Sequence, residues 1–256
     1  MTLLRSTALL AAALLTSHAH AMLVASDDFS YPNGALTTVS GGTWTTHSGT
    51  SGTLAVSGGQ AVVSQDSGSE DASLTFATVS SGSLYYAVDF SIPSSGGAFS
   101  GSDFEYFAHF MAPTGSTFRG RVDAVAPNGG GDFSLGIATE DSAADSVWAT
   151  DLSFDTSYTA VVELNIDDGG ATLWVDPTSE SDTSIDGESA ALPSIGRFAL
   201  RQSNSSSDET ILVDAVRIGT TFDSVVSVAA IPEPTSMFFG TLLATGVSIS
   251  AARRKR

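Results

Sequence analysis

Cysteine is missing from all 256 residues, lysine occurs once, at Lys255, and histidine four times. Each shortage excludes something. Without cysteine there is no disulfide framework, so stability must come from a buried core. If His18 and His20 belong to a removable leader, only His47 and His109 remain, too few for the usual His/Cys zinc or copper set. A Ser-His-Asp triad would need one of those two, and no Gly-x-Ser-x-Gly elbow accompanies them. His109 alternates within EYFAHFMA and reads as a strand-surface or pocket residue. Positive charge is scarce in the central part, residues 22–231. Its basic residues are Arg119, Arg121, Arg197, Arg201 and Arg217, whereas all 28 acidic residues but Glu233 fall there. That part is therefore more acidic than the whole chain, whose net charge is −18. Such a surface repels nucleic acid and anionic lipid, and suits solubility and divalent cations. Between residues 22 and 231 no segment has convincing helical periodicity.

What is present starts with two unusual ends. MTLLRSTALLAAALLTSHAHA carries Arg5, an apolar stretch from Ala8 to Leu15 and a small-x-small close at Ala19-His20-Ala21. This is the pattern of a secretory signal peptide over residues 1–21, with an apolar stretch too short for a signal anchor. The other end reads IPEPTSMFFGTLLATGVSISAARRKR. Residues 235–252 would make a helix roughly 27 Å long, a marginal membrane span. It contains Met237, Phe238, Phe239, Leu242 and Leu243, and six Ser or Thr. Arg253, Arg254, Lys255 and Arg256, residues 253–256, stay on the cytoplasmic side by the positive-inside rule. Pro232 and Pro234 keep residues 228–234 extended just outside the membrane. The plainer alternative is a C-terminal anchor that is never processed.

Between these ends, residues 22–227 make one domain of β type. In LYYAVDFSI, Tyr86, Val88, Phe90 and Ile92 share a face, as do Tyr158, Ala160, Val162, Leu164 and Ile166 in SYTAVVELNID. Asp168-Gly169-Gly170 then turns the chain into ATLWVDP, a hairpin whose glycines take the positive-φ positions. Further strands are expected at 54–56, 60–64, 73–76, 104–111, 118–125, 133–137, 147–152, 195–202 and 210–218. Residues 176–193 are acidic and poor in apolar side chains, and read as a mobile surface loop. About a dozen short strands with turns between them give a two-sheet sandwich.

Three stretches carry a resemblance: Leu173-Trp174-Val175-Asp176-Pro177, Phe198-Ala199-Leu200-Arg201-Gln202-Ser203-Asn204 and Val213-Asp214-Ala215-Val216-Arg217-Ile218-Gly219-Thr220. With the opening Asp27-Asp28-Phe29-Ser30-Tyr31-Pro32-Asn33-Gly34, they resemble exported bacterial proteins with a concanavalin A-like, laminin G-like jelly-roll sandwich. Pro232-Glu233-Pro234, the apolar stretch and the basic end resemble the PEP-CTERM sorting signal of Gram-negative bacteria. That resemblance implies recognition by an exosortase-type membrane transpeptidase, and a setting of extracellular polysaccharide. The sandwich resemblance implies calcium, with Asp27 and Asp28 beside Asp214 as ligands. Asp214-Ala215 replaces the Asp-Asp usual in that pattern. Trp44, Trp148 and Trp174 are the candidate sugar platforms, against the alternative that they fill the core.

Glu163 and Asp167 are the only carboxylates placed like those of jelly-roll glycosidases, and the middle position is Asn165. Four residues apart on a strand they sit about 13 Å apart, beyond the roughly 5–9.5 Å that glycoside hydrolysis uses. The expected protein is a non-enzymatic, exported envelope or matrix protein for adhesion or glycan binding. A glycoside hydrolase or lyase of the same fold is the alternative.

Overall fold

The computed structural model of the chain describes residues 22–65, 69–96, 99, 104–140, 143–192, 194–202 and 209–226. The leader, the Pro-Glu-Pro segment, the apolar stretch and the basic end lie outside the described residues. Among the described residues no helix is long and apolar enough to cross a membrane.

The first half of the chain contributes β1 (Leu23–Asp27), β2 (Gly34–Ala35), the single helical turn α1 (Leu36–Val39), β3 (Trp44–Ser48), β4 (Ala55–Ser57), β5 (Gln60–Ser64), β6 (Asp71–Val79), β7 (Ser83–Ser91), β8 (Phe104–Met111) and β9 (Phe118–Val125). After these come β10 (Ser134–Ala138), β11 (Ser146–Val147), β12 (Ser157–Asn165), β13 (Ala171–Val175), β14 (Ile185–Asp186), β15 (Ile195–Arg201), β16 (Thr210–Gly219) and the short helix α2 (Phe222–Val226). They form two antiparallel sheets. The larger runs β14-β13-β12-β7-β16-β5-β4-β2, with β1 also on β16, and the smaller runs β11-β10-β9-β8-β15-β6-β3. The long β16 shares one edge between β5, along Thr210 to Val213, and β1, along Val216 to Gly219.

Alternation fixes which way each sheet faces. Tyr86, Val88, Phe90 and Ile92 are buried in one core, as are Ala160, Val162 and Leu164. From the smaller sheet Phe107, Phe110, Val122, Leu135, Phe198 and Leu200 pack against them. Tyr86 crosses between the sheets, donating its hydroxyl to the Gly120 carbonyl at 2.7 Å and meeting Phe110 edge-on. Gly120 has φ +57°, and a Cβ there would stand 3.3 Å from Val162. Glycine thus lets the bulged β9 approach the larger sheet.

Two expectations need correction. Within the segment expected to be mobile, residues 176–192 are held by specific bonds: Asp182 accepts from Thr178 and Ser179 backbone N–H groups, β14 pairs with β13, and Arg119 binds the carbonyls of Ala190 and Ala191. The strand expected over 147–152 is only the two-residue β11 and an isolated bridge from Leu152 to Phe133.

Candidate functional site

The three tryptophans suggested as sugar platforms lie in separate parts of the fold. Trp44 is fully buried between Phe29 and Phe198, and its indole N–H donates to Asp27 at 2.7 Å. Trp174 does point outward from the larger sheet, but α2 covers it: it packs on Phe222 in a small second core with Tyr85, Val161 and Val225. Trp148 is half-buried against the main core, in a different region of the fold. An outward-facing aromatic strand residue gives no sign that a later helix will fold over it.

Nor do the residues suggested for calcium fit a hard cation. Asp27 spends its carboxylate on the Phe29 N–H, the Tyr31 hydroxyl and the Trp44 indole, each at 2.7 Å. Those bonds fix the turn after β1, where Phe29 has φ +52°. Asp28 and Asp214 are exposed, and among the described residues no three His, Cys, Asp or Glu side chains gather as a metal would require. β1 does pair with the last strand, Asp27 opposite Val216, but through backbone bonds. Glu163 and Asp167 are engaged separately, by the Ser83 hydroxyl and the Gly82 N–H.

A concentration of chemistry lies instead on the outer face of the smaller sheet. With Phe198 and Leu200 turned into the core, β15 directs Arg197, Ala199 and Arg201 outward. Opposite Ala199 stand Ser73 on β6 and His109 on β8, and Thr45 on β3 is opposite Ser73, so one row crosses four strands. Beside it, Arg201 is opposite Asp71, and Tyr106 is opposite Asp123. The floor of small side chains is flanked by charge and rings.

These groups touch. Two guanidiniums lie against the Tyr106 ring, that of Arg201 at 3.9 Å and that of Arg121 at 4.4 Å from its centroid. Phe118 stacks on Tyr106 at 5.7 Å, and His109 meets both rings edge-on. Arg121 and Asp123 form a buried ion pair at 3.2 Å. Arg201 reaches Asp71 only at 4.0 Å, with its side chain 25% exposed. His109 is 2% exposed and its Nδ1 has no hydrogen-bond partner.

Burial dominates the proton affinities here. It pushes the Asp123 carboxyl up to about 7 against the pull of Arg121, and the Asp71 carboxyl up to about 6 against that of Arg201. Burial also drives His109 well below the ordinary histidine range, and His47 down to about 4, with nearby arginines adding to the effect. Both imidazoles are therefore neutral near pH 7. The face combines cations, neutral imidazoles and aromatic edges, a set suited to oxygen-rich ligands. A signal for it existed in the sequence. Arg119, Arg121 and Asp123 alternate within FRGRVDAV, a strand otherwise apolar or small, where solvated charge is not expected.

A second polar feature lies at the larger sheet. Arg217 pairs bidentately with Asp89 at 2.6 and 2.9 Å and donates to the Val225 carbonyl, latching α2 to the sheet. The pair borders an open groove of about 660 Å³ with Asp28, Tyr31 and Thr43.

No protein-family model matches the sequence, and no curated protein matches it. Among solved structures, the lectin UEA-II complexed with galactose is similar at a TM-score of 0.50 and 14% identity, over 77% of this chain and 98% of that one. The basic winged bean lectin with Tn-antigen is similar at 0.48 and 11%, over 77% and 98%. A sialidase is similar at 0.48 and 13%, over 76% of this chain; the chain spans only 19% of the sialidase. The fold is thus an all-β, two-sheet antiparallel sandwich like that of concanavalin A-like lectins.

Proposed function

We propose that this is an exported carbohydrate-binding sandwich of the cell envelope or extracellular matrix, acting by adhesion or glycan binding rather than by catalysis. The observation that carries the reading is the outer face of the smaller sheet. There a lectin-like sandwich holds Arg201, Tyr106 and His109 together beside a small-residue floor. Surfaces of this composition bind saccharides through planar donors and aromatic rings. Export rests on the leader-like residues 1–21, and delivery to the membrane on the Pro232-Glu233-Pro234 segment with its apolar stretch and basic end. In this reading an exosortase-type transpeptidase processes the tail, and the sandwich is left at the cell surface or among polysaccharide.

Affinity electrophoresis of the protein through gels containing neutral and acidic polysaccharides tests the binding reading. Retardation by at least one polymer, weakened by Thr45→Trp at the exposed end of the small-residue row, is expected; migration unaffected by every polymer overturns it. Sugar release that Glu163→Gln abolishes would overturn the non-catalytic reading.

A further inference from the structure

We propose that the outer face of the smaller sheet recognises an acidic saccharide, with the Arg201 guanidinium receiving a uronate carboxylate. The inference rests on the carbohydrate-binding reading and names the ligand class.

The argument begins with how the arginines are used. Arg119 donates to the carbonyls of Phe118, Ala190 and Ala191. Arg197 donates to those of Ala112 and Gly115. Arg217 is consumed by Asp89 and Val225, and Arg121 is buried against Asp123. Among the described residues, Arg201 is the arginine whose guanidinium donates no hydrogen bond. Its one ionic contact is the 4.0 Å approach to Asp71. It is also open to solvent, at 25% side-chain exposure, whereas Arg121 is buried.

Its pose suits a carboxylate. The guanidinium lies over the Tyr106 ring at 3.9 Å and donates to no acceptor among the described residues, so its fork of N–H groups remains available to grip a carboxylate bidentately. The stack also restrains the side chain before a ligand arrives, which reduces the ordering cost of binding. Asp71 competes weakly, through one long contact, and the partly buried site raises its proton affinity. His109, buried beneath Tyr106 and Phe118, packs edge-on against both rings and holds in place the ring on which Arg201 rests.

Charge elsewhere sharpens the point. A molecule of net charge −18 repels polyanions in general, so binding an acidic polymer requires a local cation placed for it.

Full-length protein run through gels containing polygalacturonate, its methyl-esterified form, dextran sulfate or dextran tests this. Retardation by polygalacturonate is expected, with little by the methyl ester, in which the same sugar has lost its charge. Arg201→Ala should weaken it about tenfold or more, and Arg201→Lys, which keeps the charge but not the fork, should recover only part. Asp71→Asn should strengthen it. An unchanged melting temperature shows that a variant is folded. Equal retardation by polygalacturonate and its ester, or an Arg201→Ala protein that is folded and binds like the wild type, overturns the inference. So does stronger retardation by dextran sulfate that does not depend on Arg201. Retardation by dextran alone overturns it while leaving the carbohydrate-binding reading intact, and no retardation by any polymer overturns both.

Discussion

At the scale of residues, the molecule repeatedly buries a carboxylate and surrounds it with donors. Asp27 ties Phe29, Tyr31 and Trp44 together, and Glu70 accepts from Thr46 and from the backbone of Gly52 and Leu54. Asp27→Ala would strand the Trp44 indole and the Tyr31 hydroxyl, so a loss of about 3 kcal/mol or more is expected in denaturant unfolding. Asp123 and Asp71 differ because burial, not donors, sets their proton affinity. Their folded values of about 7 and about 6 lie above the unfolded value, roughly 3.9. Their contribution to stability is complete below that unfolded value and is lost as pH rises through about 6 to 7. His47 has the opposite sign: its folded value of about 4 lies below the unfolded one, so its contribution is lost as pH falls toward 4. Asp123→Asn should therefore gain on the wild type by a few degrees in melting temperature between about pH 5 and about pH 8. A difference constant over that range would mean Asp123 stays ionised. Beyond the alternation that marks Asp123 as an unusual strand charge, none of these roles was legible in the sequence. Whether an aspartate caps a turn, pairs with arginine or meets solvent depends on strands distant in the chain.

At the scale of elements, legibility followed length. β5, β8 and β9 start and end at the residues their alternation indicated, because a run of five or more residues with one apolar face shows its period. β2, β11 and β14, at two residues each, have no period to read. α2 is five residues long, and its Phe222 and Val225 become meaningful only against Tyr85 and Trp174 on other strands. That helix is a clasp. Phe222→Ala should cost about 3–5 kcal/mol and expose Trp174, which a red shift of tryptophan emission would report. An unchanged emission spectrum would mean that the small outer core does not depend on this ring. Residues 176–192 were misread for a related reason: Arg119, which holds their carbonyls, lies on β9.

At the scale of the whole molecule, the sandwich architecture was legible in the rhythm of strands and turns, but the strand order was not, since pairs such as β12-β7, β7-β16 and β8-β15 join strands distant in sequence. The acidity was legible, and it has a cost: a net charge of −18 with few compensating cations strains the compact state by self-repulsion. The melting temperature should rise as sodium chloride is added to a low-salt buffer. A flat or falling response would show that the ion pairs of Arg121 and Arg217 outweigh the repulsion. The pairing of β1 with β16 has a mechanical side. Leu23, the first residue of β1, is opposite Gly219, just before α2, so both leads of the sandwich leave from the same end of one ladder. Tension drawn between those leads, once α2 has peeled away, falls on one rung after another, and the sandwich opens as a zip at low force. If the far sheet grips a polymer as proposed, a load carried to it from one lead follows another line through the body and spares that seam.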